Sequence, residues 1–201
     1  MIRVLIAEDQ DMVRGALAAL LGMEPDIEVV AEVDRGDQVV ERALATAPHV
    51  ALLDIEMPGE DGISVAARLR RELPECRTLM LTTFGRPGYL RRAMAQGATG
   101  FLLKDAPADQ LAIAIRQTMQ GRSVIDPQLA AQALSEGESP LSGRESEVLA
   151  AAARGASVAE MARALFLSEG TVRNHLSAAI QKLQARNRME AVRIAEDKGW
   201  L

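Results

Sequence analysis

Cysteine and aromatic residues are scarce in this 201-residue chain: one Cys, one Trp, one Tyr and three Phe. A single Cys76 cannot close an internal disulfide, which fits a reducing cytosol. A free Cys of this kind usually packs as a small buried hydrophobe. Aromatics are 2% of the chain, so Leu, Ile, Val, Met and Ala must build the core. Long apolar runs are missing as well. ALATAPHVALL at 43–53 is uncharged but far short of the roughly 18 residues needed to span a bilayer. The opening MIRVLIAED is strand-like and turns acidic at once, unlike a secretory signal. These absences predict a cytoplasmic protein with no membrane partner. Strong positive charge is also lacking, since the formal net charge is −5. The balance is uneven, however. Residues 1–130 hold 14 Lys and Arg against 19 Asp and Glu, whereas residues 139–201 hold 9 against 7. An acidic front and a mildly basic tail predict separate partners.

What is present is a regular alternation. Apolar runs at 2–7, 27–33, 50–54, 77–82 and 100–103 read as strands. Four of them are near-continuous, the signature of parallel strands buried on both faces. Helical patterns lie at about 10–22, 36–46, 62–73, 88–97 and 107–120, with Pro107 suited to the first helical position. The layout is (βα)5. It predicts an α/β domain over residues 1–120, a flavodoxin-like parallel sheet of order 2-1-3-4-5 with helices on both faces. Residues 121–139 mix Gly, Pro and polar residues and read as a linker, with a weak helical patch at 127–135. Residues 140–201 carry only helical patterns, at about 142–154, 157–166, 168–185 and 188–199, an all-α four-helix domain. Ser142, Ser157 and Ser168 stand where N-caps belong, and Ser142–Glu145 and Ser157–Glu160 fit the capping box.

The stretch VALLDIEMPGEDG at 50–62 delivers a carboxylate, Asp54, from the most strand-like segment into an acidic loop. Parallel sheets carry their working residues at the carboxyl ends of strands. Glu8 and Asp9 follow the first strand, Thr82 ends the fourth and Lys104 follows the fifth. In the 2-1-3-4-5 order, Glu8, Asp9 and Asp54 share one crevice. Two unit charges about 5 Å apart at an effective dielectric of ~20 repel by about 3 kcal/mol. Either a carboxyl stays protonated or a cation sits among them, and Mg²⁺ suits such an oxygen-rich site. A carboxylate beside Mg²⁺ can accept a phosphoryl group as an acyl phosphate. Lys104 is expected to neutralise charge on that group, and the Thr82 hydroxyl to hydrogen-bond one of its oxygens. Each residue alone has a plainer reading: a strand-end Asp as a helix cap, adjacent acids as a solvated turn. Glu60 and Asp61 are expected to be solvated loop acids. Four strand ends carrying this set in register is the argument for the site.

Residues 1–120 resemble the receiver domain of two-component response regulators. The resemblance rests on Glu8-Asp9, on D-x-x-M-P-x-x-x-G as Asp54, Met57, Pro58 and Gly62, on Thr82-Thr83, and on Phe101 to Lys104. It implies that Asp54 is the phosphoacceptor, Asp9 a direct Mg²⁺ ligand, Glu8 a ligand through water, and the Glu56 backbone carbonyl the third protein ligand. Thr82 and Phe101 are the implied switch pair, Thr82 moving toward the phosphoryl group and Phe101 turning inward behind it. The chain departs from many receivers in having Glu8 where Asp is common, and Asp105 rather than Pro after Lys104.

In LSEGTVRNHLSAAIQKL at 167–183, Val172, Leu176, Ala179, Ile180 and Leu183 form an apolar stripe at helical spacing. Arg173, Asn174, Ser177 and Gln181 point away from it. On charge alone this is a solvated face of a small bundle. Residues 140–201 resemble the LuxR-type helix-turn-helix domain, through LSGRESEVL, VAEMARAL, LSEGTVRNHLSAAIQKL and ARNRMEAVRIA in order. The resemblance makes Thr171, Arg173, Asn174, His175, Ser177 and Lys182 candidate DNA contacts. The two halves together resemble the NarL/FixJ family, and TTFGRPGYLRRA and DKGWL resemble its DesR-like members.

The implied function is a transcription regulator. A sensor histidine kinase phosphorylates Asp54, and the chain forms a homodimer on double-stranded promoter DNA. The implied dimer surface is helices one and five, or the helix four, strand five and helix five face with Arg91, Arg92, Asp105 and Asp109. Two other readings stay open: a Mg-dependent phosphohydrolase using Asp54 as a turnover nucleophile, and a DNA binder that ignores phosphorylation.

Overall fold

Five apolar runs become five parallel strands; the near-continuous ones bury both faces inside a covered sheet, while 27–33 keeps Glu28 and Glu32 exposed. The computed structural model describes residues 1–83, 87–127, 129–131 and 139–201, with Pro87 and Ala108 described by backbone alone. Residues 84–86 of TTFGRPGYLRRA, and most of the helical patch expected at 127–135, lie outside the described residues. The described residues divide into two compact units, one over most of residues 1–131 and one over residues 139–201.

In the first unit, β1 (Ile2–Ala7), β2 (Ile27–Val33), β3 (Val50–Asp54), β4 (Arg77–Thr82) and β5 (Gly100–Leu103) alternate with α1 (Asp11–Gly22), α2 (Gly36–Thr46), α3 (Gly62–Glu72), α4 (Pro87–Ala95) and α5 (Ala108–Met119). The expected order holds and continues by one strand: β2-β1-β3-β4-β5-β6. β6 is Val124–Ile125, inside the segment read as a linker. Two residues are too short for a periodic signal; they count as a strand because β5 offers a free edge. Gly100 makes that pairing possible. A Cβ there would stand 2.6 Å from Leu79 Cδ1 and 2.9 Å from the Val124 carbonyl. Pro107 is the N-cap of α5, with ψ 140°, rather than its first helical residue. The Lys104–Asp105 peptide is trans.

All five residues of β3 are buried. Val4, Ile6, Val50, Leu52, Leu79, Leu81 and Leu102 pack with Leu21 of α1 and Leu111 and Ile115 of α5. Leu5, Ala51, Leu53 and Met80, one residue out of phase, are equally buried. Each such side chain contributes about 1.5–3 kcal/mol. A double-sided core of this kind leaves the central strand little freedom, which fixes what stands at its end. α1 is less well covered, with Leu21 its one buried residue.

The second unit holds α6 (Gly143–Ala153), α7 (Val158–Ala164), α8 (Glu169–Lys182) and α9 (Arg188–Asp197). Val148, Leu149, Met161, Val172, Leu176 and Val192 centre its core. Both capping boxes form, Ser142 with Glu145 and Ser157 with Glu160, and Ser168 caps α8 through the Thr171 N–H. No helix among the described residues is long and apolar enough to cross a membrane.

Candidate functional site

Strand register assembles the acidic site. Ala7 lies opposite Leu53, so Glu8 arrives level with Asp54. Asp54 pairs with Leu81, and Thr82 is the next residue along β4. Thr82 pairs with Leu103, so Lys104 stands one step beyond, its N–H donating to the Thr82 carbonyl at 2.8 Å. Four chain segments far apart in sequence thus end at one edge of the sheet.

Lys104 Nζ stands 2.6 Å from Glu8 Oε2 and 3.1 Å from Asp54 Oδ2. The cation between the carboxylates is therefore the chain's own lysine, and it sits nearer Glu8 than Asp54. The Glu8 contact is an ion pair rather than a directional hydrogen bond, which leaves the buried Oε2 without one. The Ile55 N–H donates to Asp54 Oδ1 at 2.7 Å, and the Gln10 N–H to Glu8 Oε1 at 3.2 Å. Glu8 is 1% exposed and Asp54 5%, whereas Asp9 is exposed. One carboxylate oxygen from each of Glu8, Asp9 and Asp54 lies within 4.8 Å of the others.

Burial pushes the Asp54 carboxyl above its ordinary range, and Glu8 adds to this; Lys104 and the Ile55 N–H oppose it without cancelling it. Burial alone would lower Lys104, but Glu8 and Asp54 outweigh it and hold the ammonium above its usual value. The site thus carries more negative than positive charge in a poorly hydrated place, and that imbalance favours a further cation.

The loop after β3 is held from three sides. The Gly62 N–H donates to the Ile55 carbonyl at 3.0 Å, and a Cβ on Gly62 would come 1.9 Å from the Asp54 carbonyl. Only Gly lets α3 start this close to Asp54. Asp61 is exposed, as expected of a loop acid, but its carboxylate also caps α3, accepting from the Ile63 and Ser64 N–H groups. Glu60 is not free either, with Arg68 Nη1 at 2.7 Å. The Glu56 side chain is exposed, and its Oε1 accepts from the Tyr89 hydroxyl on α4 at 3.1 Å. Thr82 is buried, and Phe101 is fully buried.

On α8, Val172, Leu176 and Ala179 face the core while Arg173, Asn174 and Ser177 are exposed and Thr171 and His175 are half-buried. Two of the candidate contacts are engaged within the unit. Arg173 Nη2 lies 2.6 Å from Glu169, one turn back. Lys182 Nζ lies 2.7 Å from Glu145 Oε2, the nearly buried acid of the α6 capping box. Arg186 holds the Glu190 carboxyl well down, to about 2.

Residues 4–116 match the family described as response regulator receiver domain, and residues 139–195 the bacterial regulatory proteins of the luxR family. The chain is 45% identical over 201 residues to the transcriptional regulatory protein YvfU of Bacillus subtilis strain 168, covering 100% of both. It is 44% identical over 200 residues to the transcriptional regulatory protein DesR of the same organism, covering 100% of this chain and 99% of that one. Among solved structures it is similar to RcsB, described as two dimers bound to two parallel DNAs, at TM-score 0.69 and 25% identity over 98% of each chain.

Proposed function

The chain belongs to the two-component response regulators that join a receiver domain to a luxR-type DNA-binding domain, and from that premise we propose which of its residues act. Residues 1–120 with β6 form the receiver, the rest of 121–139 the linker, and residues 140–201 the DNA-binding domain. Asp54 is the phosphoacceptor for a sensor histidine kinase. The observation that carries this is the convergence of Glu8, Asp9, Asp54 and Lys104 on one strand edge, with Asp54 itself nearly buried.

The acid cluster fits Mg²⁺: three carboxylates, two of them nearly buried, are close enough to share one ion and outnumber the single lysine among them. Asp9, Asp54 and the Glu56 carbonyl are the direct ligands, with Glu8 acting through water. When bound, the ion draws off charge from the group being transferred. The protein's own part is positional. Burial of β3 and the Ile55 N–H hold the Asp54 carboxylate still, Lys104 stands ready at its other oxygen, and Thr82 offers a hydroxyl to the arriving phosphoryl group. Thr82 and Phe101, both buried, are the switch pair, Thr82 moving toward the phosphoryl group and Phe101 turning inward behind it.

The output is a homodimer on double-stranded promoter DNA, read by Thr171, Arg173, Asn174, His175, Ser177 and Lys182. Met12, Leu20 and Met23 on and beside α1, and Ile113 and Met119 on α5, are exposed apolar residues. They favour the α1/α5 face over the α4, β5 and α5 face for dimerisation. The family consists of DNA-binding regulators, so Asp54 carries a signal rather than turning over a substrate. The location is the cytoplasm.

The test uses the full chain with Mg²⁺ and acetyl phosphate or beryllofluoride, followed by mass in solution and by affinity for double-stranded DNA enriched on the protein in vitro. Wild type becomes dimeric and binds more tightly, while Asp54→Ala does neither. Equal mass and affinity with and without donor would overturn the reading.

A further inference from the structure

At the amino end of β4 the receiver surrounds a cleft of about 470 Å³, within the size range of sites that take small organic molecules. It lies at the opposite edge of the sheet from Asp54, because β4 runs from Arg77 to Thr82, a span of roughly 17 Å. Two arginines line it. Arg77 opens β4, its backbone N–H donating to the His49 carbonyl at 2.9 Å, and Arg70 stands in the last turn of α3. Neither forms an ion pair among the described residues. Glu72 is held instead by Arg68 at 3.5 Å and Arg71 at 3.1 Å, and Glu75 does not line the cleft. Gly97 fixes where Arg70 lies. Its φ is +92°, and a Cβ there would come 2.6 Å from Arg70 Nη1 and 3.0 Å from Cζ, so only glycine lets the guanidinium fold across the end of α4. Buried Thr78 and half-buried Thr99 are the hydroxyl-bearing residues of the wall, and Pro74 and Met94 give it an apolar side. Among the described residues no carboxylate lines it. Helix ends oppose the arginines in part: α3 and α4 both finish here, each equal to about half a negative charge. The Gly97 and Ala98 N–H groups already answer the last carbonyls of α4, at 3.0 and 2.9 Å. Two guanidinium charges against at most about one therefore leave the cleft positive, in a chain of net charge −5.

We propose that this cleft binds a small phosphate monoester, its phosphate held by Arg70 and Arg77 and its organic part against Met94 and Pro74. A guanidinium offers its N–H donors as a planar fork that matches phosphate oxygens, and bonds to an ionised acceptor are shorter and stronger than neutral ones. A dianionic phosphate balances two such groups. Inorganic phosphate would leave the apolar wall and most of the volume unused, so the ester is the class that fits. The inference does not depend on Asp54. Without Mg²⁺, the acids at that end of the sheet repel a phosphate.

The test is isothermal titration of the full chain with AMP, adenosine and inorganic phosphate, in EDTA and an otherwise phosphate-free buffer. The proteins are wild type, Arg70→Gln, Arg77→Gln, Asp54→Asn and Arg122→Gln, the last an exposed arginine outside the cleft. Arg70 and Arg77 are exposed as well, so their variants fold, which unchanged circular dichroism verifies. AMP binds wild type saturably, one molecule per chain, and more tightly than inorganic phosphate, while adenosine does not bind. Arg70→Gln and Arg77→Gln each weaken AMP by about tenfold or more, the scale of a lost hydrogen bond to a charged group. Asp54→Asn and Arg122→Gln leave it unchanged. No saturable AMP binding by folded wild type, adenosine or inorganic phosphate binding as tightly as AMP, or full affinity in Arg70→Gln or Arg77→Gln would each overturn the proposal. So would an equal loss in Arg122→Gln, which would mark a diffuse charge effect, or loss in Asp54→Asn, which would put the phosphate in the acidic site. Displacement of AMP by double-stranded DNA would give the arginines to a DNA backbone and overturn it too.

Discussion

Lys104 lies 2.6 Å from Glu8, and Lys182 lies 2.7 Å from Glu145. Both glutamates are nearly buried, but the lysines differ: the Lys104 side chain is 9% exposed and that of Lys182 42%. Their charge balance differs more. Lys182 and Glu145 form one cation with one anion, between the C-terminal end of α8 and the N-terminal turn of α6. Glu145 Oε2 also accepts the Ser142 N–H in its capping box, so the one cation is matched by one anion. Lys104 faces Glu8 and Asp54 together, with Asp9 beside them. One cation among three acids leaves negative charge in a site with little water. The first pair rivets a bundle, whereas the second is an unbalanced group that can take a metal and a phosphoryl group. A salt bridge in a structure therefore says little until the charges around it are counted and their burial known.

Removing each cation tests that contrast most strongly. Lys104→Ala leaves Glu8 and Asp54 facing each other without a counter-charge. It lowers unfolding free energy in urea at pH 7 by about 3 kcal/mol, the scale of a broken buried pair. Added Mg²⁺ recovers part of that loss for this variant and less for wild type. A wild-type urea midpoint would show that the pair is effectively solvated. Glu145→Ala removes a cap and the partner of Lys182 together, and destabilises the helical unit by about 1–2 kcal/mol while leaving the receiver's unfolding unchanged.

Asp54→Asn goes the other way. Burial holds the Asp54 carboxyl above its usual range, so the folded chain binds that proton more tightly than the unfolded chain. Stability from this group is present below the ordinary carboxylate range and is lost as pH rises through the raised value. Above the raised range the ionised Asp54 is thus a burden, and there Asp54→Asn stabilises the fold. The gain shrinks as pH falls toward the ordinary carboxylate range, which denaturant titrations at several pH values will read. A gain that persists in acid would refute the stated cause. Lys182→Ala has the smallest effect on folding, under about 1 kcal/mol, because the lysine is substantially solvated. If Lys182 also meets a phosphate, the variant lowers the salt dependence of DNA binding by a slope of about 0.9.

Much of both units was legible in residue order. The five apolar runs matched their strands to within a residue: four are apolar nearly throughout because both faces are buried, and β2 alternates, with Glu28 and Glu32 exposed. Ser142, Ser157 and Ser168 announced their helices, because an N-cap needs a side-chain oxygen at one position. β6 was hidden, since Val124–Ile125 has no period and depends on Gly100 across the sheet. The capping role of exposed Asp61 was hidden because a cap and a loop acid share the same letter. Tyr89 carried no signal at all, being a lone aromatic in a helix.

Sequence by itself determined the alternation, the strand ends and the chemical kinds that stand on them: acids after β1 and at the end of β3, a hydroxyl at the end of β4, a lysine after β5. It did so because burial and backbone geometry act within a few residues. Tertiary structure alone decided which polar groups meet: Lys104 with Glu8 before Asp54, Lys182 with Glu145, Tyr89 with Glu56. Side-chain reach and strand register, measured in single ångströms across segments dozens of residues apart, set those pairings, and no local pattern encodes them.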